Sequence, residues 1–434
     1  MFPWILLQLV HAQQTVILPT QPRGAFGDMV KQKDDREKAQ KLERMRRPVN
    51  TLLVPGEDGN DDGIVIVASF MTNQLLYAPA SEFKEGHAQP ELSLFAGGSY
   101  CGSKRKRHAC SLLDGPWGLA ARNGVVFVSS FGSDQIMMFS TRIPPPHRRE
   151  EEEEEDILPQ TLRRNRGAAR YLGAFGGAEI LSCPEGIAWG PEGSALADTL
   201  FVASFLSNSV VAFTVAFDDD AGDPRATRSY TFVDGYASAL SGAEDLAWCG
   251  GSLYVSSYYS DTVLRFDRNG VRDDEFATRI DAERLRGLEL AGPVGIECSV
   301  VRWEDGAGGE AEAEAGALEE PDAYLDLDLR ALQGLTMLEV LVASYKNSKI
   351  ARFTLDGSYL GDLVGSGARG LNGPSGFSIL DRGWVSSLSC VASELLVASY
   401  ETSKLIAYPP SCRTSMATER RRSESNASLV NFVS

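Results

Sequence analysis

Six stretches of the chain share one pattern of apolar and polar positions. Each begins with an apolar run, passes through Val-[Ala/Ser]-Ser-[Phe/Tyr] and a polar corner, and continues with a second apolar run. The copies are IVIVASFMTNQLLY from Ile64, VVFVSSFGSDQIMMF from Val125, LFVASFLSNSVVAF from Leu200, LYVSSYYSDTVLRF from Leu253, VLVASYKNSKIARF from Val340 and LLVASYETSKLIAY from Leu395. Apolar runs on both sides of a turn-forming corner predict a β-hairpin in every copy. Four copies place an Asn or Asp, the residues that enter left-handed conformations most easily after glycine, at one corner position: Asn73, Asp134, Asn208 and Asp261.

Two further elements recur around the hairpins. Upstream lies a Pro-x-Gly type of strand, in the segments GPWGLA from Gly115, CPEGIAW from Cys183, GAEDLAW from Gly242, GPVGIE from Gly292, GPSGFSI from Gly373 and a degraded RPVNTLL from Arg47. Downstream lies a strand that often ends in glycine, as in LSLFAGG, YLGAFGG, YTFVDG and YLGDLVGSG. Six units of four strands predict an all-β fold, a six-bladed β-propeller of four-stranded antiparallel blades over residues 47–412.

This unit resembles the NHL-repeat family and its six-bladed relatives over most of the chain. The family usually carries Asp where all six copies here carry a serine: Ser69, Ser130, Ser204, Ser257, Ser344 and Ser399. The resemblance implies that the Pro-x-Gly strand is the innermost strand of each blade. Its variable residue then lines one mouth of the central channel, at Val49, Trp117, Glu185, Glu244, Val294 and Ser375.

The remaining segments are charged or of low complexity. Residues 13–46 read as an N-terminal segment and charged linker, and the insertions at about 141–170 and 302–335 and the polar tail 413–434 are predicted to be disordered. The last blade needs a fourth strand. The candidates are TVILPT, at 15–20, and SLVNFV near the end of the chain.

The start of the chain resembles a secretion signal. Residues 1–12 contain an apolar run too short to cross a bilayer, followed by Val10 and Ala12 in the spacing that signal peptidase accepts. We therefore predict a cleaved signal peptide and a secreted protein, with a cytoplasmic location as the alternative. A sequon at Asn426 offers a glycosylation site in the tail.

Seven cysteines are compatible with an oxidising compartment. Cys101 and Cys110 close a small loop, and Cys390 and Cys412 flank the last hairpin almost symmetrically. Both pairs are disulfide candidates, and buried free thiols are the alternative.

The charge of the chain restricts its partners. A net charge of -17 argues against nucleic acid or an anionic membrane surface. The basic run Lys104–Arg107 lacks the interleaved aromatic residues and broad basic face of a nucleic-acid site. Apart from the start, the chain has no segment long and apolar enough for a transmembrane span. We expect a protein, peptide or glycan ligand and a monomeric state.

The most site-like cluster in the sequence is formed by Glu185 and Glu244 on consecutive inner strands, beside Trp117. Carboxylates that converge on an axis could bind Ca²⁺, and the alternative is that both are solvated rim residues or partners of nearby backbone amides. No other cofactor is expected.

A sharper hypothesis comes from EGIAW and EDLAW, which are similar to the Glu-Gly-Pro-x-Trp motif of gluconolactonase-type propellers. That resemblance implies a metal-binding glutamate and hydrolysis of a lactone. Here Ile187 replaces the proline, and Asn50 and Asp245 are the nearest substitutes for the Asn and Asp ligands of that family.

Other catalytic arrangements find little support. A zinc-dependent propeller lyase needs histidine ligands, but beyond the signal the histidines are His87, His108 and His147, all in loops or insertions. No histidine recurs beside the six hairpin serines, so no catalytic residue is assigned. The leading interpretation is a secreted, non-enzymatic propeller that binds a protein, peptide or glycan, and the competing one is a calcium- or zinc-dependent lactonase or esterase.

Overall fold

The computed structural model describes residues 45–56, 63–83, 89–97, 113–141, 169–217, 223–302, 336–381 and 393–408. The predicted signal peptide, both candidate closing strands, both predicted cysteine pairs and Asn426 lie outside these residues. None of the helices in these ranges is long and apolar enough to cross a membrane.

The described residues form six antiparallel sheets, one for each predicted unit. Blade 1 contains β1 (Pro48–Val54), β2 (Ile64–Ser69), β3 (Gln74–Pro79) and β4 (Ser93–Gly97). Blade 2 contains β5 (Pro116–Arg122), β6 (Val125–Ser130), β7 (Gln135–Ser140) and β8 (Tyr171–Gly176). Blade 3 contains β9 (Pro184–Trp189), β10 (Thr199–Ser204), β11 (Ser209–Ala216) and β12 (Arg225–Val233).

The second half of the ring follows the same order with two differences. Blade 4 contains β13 (Ala243–Cys249), β14 (Ser252–Ser257) and β15 (Thr262–Phe266), preceded by the short helix α1 (Gly235–Ser238) and followed by α2 (Asp274–Leu285). Blade 5 contains β16 (Pro293–Arg302), β17 (Thr336–Ser344), β18 (Lys349–Thr354) and β19 (Tyr359–Val364). Blade 6 contains β20 (Pro374–Asp381), β21 (Ser393–Ser399) and β22 (Lys404–Tyr408).

The strand order confirms the fold prediction. Every quoted repeat is a hairpin, and each Pro-x-Gly strand pairs with the first strand of its hairpin. The inner strands β1, β5, β9, β13, β16 and β20 each contact the next, and β20 contacts β1, so they surround one axis. The all-β six-bladed propeller is therefore present.

Blade 4 departs from the four-strand unit because its sequence favours a helix after β15. The carboxylate of Asp273 caps the helix by accepting from the Phe276 amide at 3.0 Å. Phe276 and Ile280, four residues apart, are the buried residues of α2. They pack among the core residues of blades 4 and 5. In blade 6, the part of the chain that the structure describes ends before a fourth strand, so the predicted closing strands remain untested.

The hydrophobic core lies between neighbouring blades. One cluster joins Phe127 of blade 2 to Val202 of blade 3, and another joins Phe201 of blade 3 to Val255 of blade 4. Consecutive apolar residues of a strand thus point into two different interfaces, as the alternation of side chains along a strand requires. The inner and middle strands are therefore buried on both faces.

A repeated hydrogen bond joins each blade to the next, and we call it the corner clamp. The corner residue has φ between 53° and 56° in every blade. Its side-chain oxygen accepts from the backbone amide just before the next inner strand. The six pairs are Asn73 with Gly115 at 2.9 Å, Asp134 with Cys183 at 2.7 Å, Asn208 with Gly242 at 2.6 Å, Asp261 with Gly292 at 2.6 Å, Ser348 with Gly373 at 3.3 Å and Ser403 with Arg47 at 3.0 Å.

The six repeated serines have a structural role. In blade 3, the fully buried Ser204 hydroxyl accepts from the Ser182 amide at 2.9 Å and donates to the Ser182 carbonyl at 3.3 Å. The same two bonds recur in the pairs Ser69 with Arg46, Ser130 with Asp114, Ser257 with Ser241, Ser344 with Ala291 and Ser399 with Asn372. Each hydroxyl therefore holds the chain that enters its blade.

A disulfide joins Cys249 of β13 to Cys298 of β16, with 5.3 Å between the Cα atoms. It links consecutive inner strands and was not among the pairs predicted from spacing. The segments GAEDLAWC and GPVGIEC each place a cysteine at the end of the inner-strand motif, which was the available signal. Cys183 is a free thiol, and burial raises its pKa to about 11, with a further contribution from the charge of Asp134.

Candidate binding site at the corner face

All hairpin corners lie at one end of the sheets, which we call the corner face. In blade 3, Pro184 at the start of β9 faces Ser204 at the end of β10, and Ser204 faces Ser209 at the start of β11. The equivalent strand ends pair in the same way in the other blades. The corner face therefore carries the variable residue of every inner strand and every corner clamp.

Six aromatic residues occupy the corner face, and each directly follows the repeated serine of its blade. They are Phe70, Phe131, Phe205, Tyr258, Tyr345 and Tyr400. We call them the aromatic ring. Three pairs of neighbouring members contact each other, with centroids 5.9 Å apart for Phe70 and Phe131, 6.4 Å for Phe205 and Tyr258, and 6.1 Å for Tyr345 and Tyr400. Their [Phe/Tyr] position was visible in all six repeats, but nothing in the sequence showed that the six residues occupy the same face of the propeller.

Trp117, a predicted site residue, joins this ring. Its indole stacks on Phe131 at 5.8 Å and meets the edge of Phe70 at 5.2 Å. The side chain is half-buried. An aromatic surface thus lies at the end of the blade 2 inner strand, next to the strand that carries Glu185.

Three exposed apolar side chains lie one residue beyond the ring. Met71, Leu206 and Tyr259 occupy the same repeat position and are 52%, 45% and 52% exposed. Their blade 5 and blade 6 equivalents are the exposed Lys346 and Glu401. The corner face is therefore apolar over blades 1, 3 and 4 and charged over blades 5 and 6.

The two predicted glutamates come together beneath this surface. Glu185 and Glu244 are only 2% and 5% exposed, which contradicts the alternative of solvated rim residues. Their carboxyl groups are close enough for each to affect the pKa of the other. The Oε2 atom of Glu185 has no hydrogen-bond partner among the described residues.

Burial is the main cause of the unusual titration of this pair. It raises the pKa of Glu185 well above its ordinary value, and the charge and hydrogen bond of Glu244 raise it further. Burial also raises the pKa of Glu244 to about 8, although the hydrogen bond from Glu185 opposes the increase. The pair therefore keeps its protons to a higher pH than isolated glutamates do, as expected for two adjacent buried carboxyl groups.

Asp245, the fourth predicted site residue, is oriented by backbone amides. Its carboxylate accepts from Leu246 at 2.9 Å and from Ile296 of the next blade at 3.2 Å. Burial raises its pKa to about 7. Gly186 packs directly on this residue, because a Cβ there would lie 2.0 Å from the Asp245 Oδ1 atom. The glycine of the Pro-x-Gly motif thus permits close packing of adjacent inner strands.

The described residues do not fit the metal site implied by the gluconolactonase resemblance. No three His, Cys, Asp or Glu side chains among them are placed to hold a metal ion. Asp245 is engaged by amides, and the Asn50 side-chain oxygen accepts from the Thr51 amide at 2.8 Å. A metal bound by Glu185 and Glu244 stays a prediction.

Comparisons with known proteins add no family to this picture. No protein-family model and no curated protein matches the chain. Similar solved structures include virginiamycin B lyase from Staphylococcus aureus, 11% identical over 85% of this chain and 86% of that chain, with a TM-score of 0.40. The nidogen/laminin complex is 10% identical over 73% and 79%, with a TM-score of 0.37. An auxiliary nutrient binding protein from Bacteroides thetaiotaomicron is 10% identical over 83% and 68%, with a TM-score of 0.41. At these values the likenesses carry no argument about function.

Proposed function

We propose that this chain is a non-enzymatic, NHL-like binding propeller that takes a protein or peptide ligand on its corner face. The observation that carries the proposal is the repeat position at which Met71, Leu206 and Tyr259 are exposed around the aromatic ring. Exposed apolar residues that cluster and are bordered by polar residues are typical of interaction surfaces. Aromatic residues are enriched in such surfaces.

The structural role of the serines supports binding rather than catalysis. All six hydroxyls are buried and bonded to the backbone, so none is presented to a substrate. The disulfide between Cys249 and Cys298 is of the kind that persists in oxidising compartments. It supports the secretion that the first residues of the sequence predict.

The test is a selection of ligands on the purified chain, with a displayed random peptide library and a glycan array. The variants Leu206→Asp and Tyr259→Asp place a charge on the corner face. Val271→Asp is the matched control, since Val271 is 62% exposed in the turn after β15, at the opposite end of blade 4. We expect the first two variants to weaken binding at least about tenfold, which is about 1.4 kcal/mol, and the control to leave it unchanged. Ligands that bind all three variants equally would refute the proposal.

The hydrolase alternative rests on Glu185 and Glu244 alone. A calcium and zinc titration followed by thermal unfolding examines it directly. A metal-dependent rise in midpoint that Glu185→Gln and Glu244→Gln abolish would favour the hydrolase and justify a screen of lactones and esters.

A further inference from the structure

The carboxyl pair of Glu185 and Glu244 lacks a counter-ion in the surroundings that the structure describes. The neighbouring groups that act most strongly on Glu185 are all acidic or neutral: Glu244, Cys183 and Asp245. Buried carboxyl groups are normally paired with cations or fully hydrogen-bonded. The Oε2 atom of Glu185 has neither kind of partner among the described residues. The site therefore has an unused acceptor for a positively charged donor.

The nearby basic residues of the corner face are engaged elsewhere. Lys346 lies 3.0 Å from the Asp261 carboxylate and 4.7 Å from the centroid of Tyr258. Arg47 donates to the Tyr400 hydroxyl at 3.1 Å and lies over that ring at 4.9 Å. Both contacts show that members of the aromatic ring bind cations in this chain.

Aromatic side chains also lie beside the strand that carries Glu244, since the Tyr258 amide donates to the Gly242 carbonyl at 2.9 Å. Burial raises the pKa of Tyr258 to about 12, and the charge of Glu244 is the next largest cause. The same glutamate acts on the exposed Tyr259. Trp117 occupies the inner-strand position equivalent to that of Glu185 in the preceding blade. The part of the corner face formed by Trp117, Glu185, Glu244 and Tyr258, which we call the mouth, therefore combines aromatic and carboxyl groups.

We propose that the mouth of the corner face binds the side-chain cation of a basic peptide, with Glu185 and Glu244 as acceptors and Trp117 and Tyr258 as walls. This inference rests on the proposed function, because it assumes that the corner face is the binding face. A lysine ammonium and an arginine guanidinium share the necessary chemistry, which combines a charge, several N–H donors and attraction to aromatic faces.

The experiment measures binding of short acetylated and amidated peptides to the full chain by isothermal titration calorimetry. The central residue is lysine, arginine, acetyl-lysine or citrulline in an otherwise alanine sequence. The lysine or the arginine peptide is expected to bind at least about tenfold more tightly than its neutral counterpart. Comparison of the two cationic peptides identifies the preferred group.

Variants locate the interaction. Glu185→Gln keeps the shape of the side chain and should weaken the cationic peptide at least about tenfold. Glu289→Gln makes the same substitution at an exposed position near the entry to blade 5 and should leave the affinity nearly unchanged. Circular dichroism confirms that both variants are folded. Equal losses in the two variants would indicate general charge attraction and overturn the inference.

Other results separate this inference from the proposed function. Peptide binding that ignores the charge of the central residue but is lost in Leu206→Asp would refute the cation site and leave the corner face as the binding face. Failure of all four peptides, with selected ligands that tolerate Leu206→Asp and Tyr259→Asp, would refute both. A calcium-induced rise in unfolding midpoint that requires Glu185 would replace the organic cation with a metal and also overturn the inference.

Discussion

The corner clamp at Asn208 combines a hydrogen bond with an unusual backbone conformation, and two substitutions separate these contributions. Asn208 has φ of 53°, and its Oδ1 atom accepts from the buried Gly242 amide at 2.6 Å. Asn208→Gly keeps the conformation but leaves that amide without its acceptor, which costs about 1–3 kcal/mol. Asn208→Ala loses the same bond and also incurs the left-handed penalty of about 1–2 kcal/mol.

The alanine variant should therefore be the less stable of the two. The left-handed penalty is partly offset because glycine adds about 0.4–1 kcal/mol of conformational freedom to the unfolded chain. We expect Asn208→Ala to be less stable than Asn208→Gly by about 1 kcal/mol, a difference between two opposing contributions. Denaturant unfolding monitored by circular dichroism gives both free energies of unfolding.

Asn123 offers a matched control. It has φ of 49° but is exposed in the turn between β5 and β6, where it is followed by Gly124. Asn123→Ala should show the conformational penalty without loss of a clamp, and Asn123→Gly should be nearly neutral. Wild-type stability in Asn208→Gly would refute the energetic role of the clamp. Equal stability of the two Asn208 variants would refute the role of its conformation.

Three further predictions concern charge. The thermal unfolding midpoint should decrease as the pH rises from about 5 to about 8. Burial gives Glu244 a pKa of about 8 in the folded chain, against 4.5 for the ordinary group, so the folded state binds more protons than the unfolded state in this range. The double variant Glu185→Gln, Glu244→Gln should make that profile less steep, and the rest of the slope should come from Asp245 and Glu297, whose pKa values burial raises to about 7 and about 8. Glu339→Leu should cost about 3–5 kcal/mol in denaturant unfolding, because it removes a carboxylate that accepts two bonds of 2.8 Å from the largely buried Arg352. Arg47→Met should cost about 1–2 kcal/mol by the same measurement, because it removes the contacts of its guanidinium with the last blade.

Each of these predictions has a control. A double variant with both Glu339 and Arg352 changed to Leu should be more stable than Glu339→Leu, since no charge is left buried. Asp356→Asn breaks an exposed pair with Arg279 and should change stability by less than about 1 kcal/mol. A pH profile unaffected by the glutamate substitutions would contradict the assignment of the titration. A fully stable Arg47→Met would show that its contacts contribute little to closing the ring.

The fold was predictable because its unit is local. Each hairpin and each inner strand is formed by residues that are adjacent in the chain, and six copies make the pattern clear. Helix α2 was not predicted from the sequence. Its signals are an N-cap at Asp273 and two apolar residues four positions apart, and neither belongs to the glycine-ended strand that was expected after the hairpin. The pairing of Cys249 with Cys298 was missed because it depends on which strand ends become neighbours.

The candidate site was predictable only in part. Glu185, Glu244 and Trp117 were identified from one repeat position and lie on the same face. The burial of the two glutamates, their proximity and the orientation of Asp245 depend on the spacing of inner strands around the axis. The six serines illustrate the same limit, since a repeated hydroxyl looks similar in sequence whether it faces a ligand or the backbone.

The residue type of the corner clamp differs between blades, and this difference indicates which blade of the propeller opens first. Four junctions use Asn or Asp, whereas Ser348 and Ser403, on the two sides of blade 6, hold left-handed conformations that serine adopts less easily. Their bonds to Gly373 and Arg47 are 3.3 and 3.0 Å long, against 2.6 Å at Asn208. We therefore expect blade 6 to open locally before the other blades. The amides at its junctions should exchange with deuterium before those of blades 3 and 4.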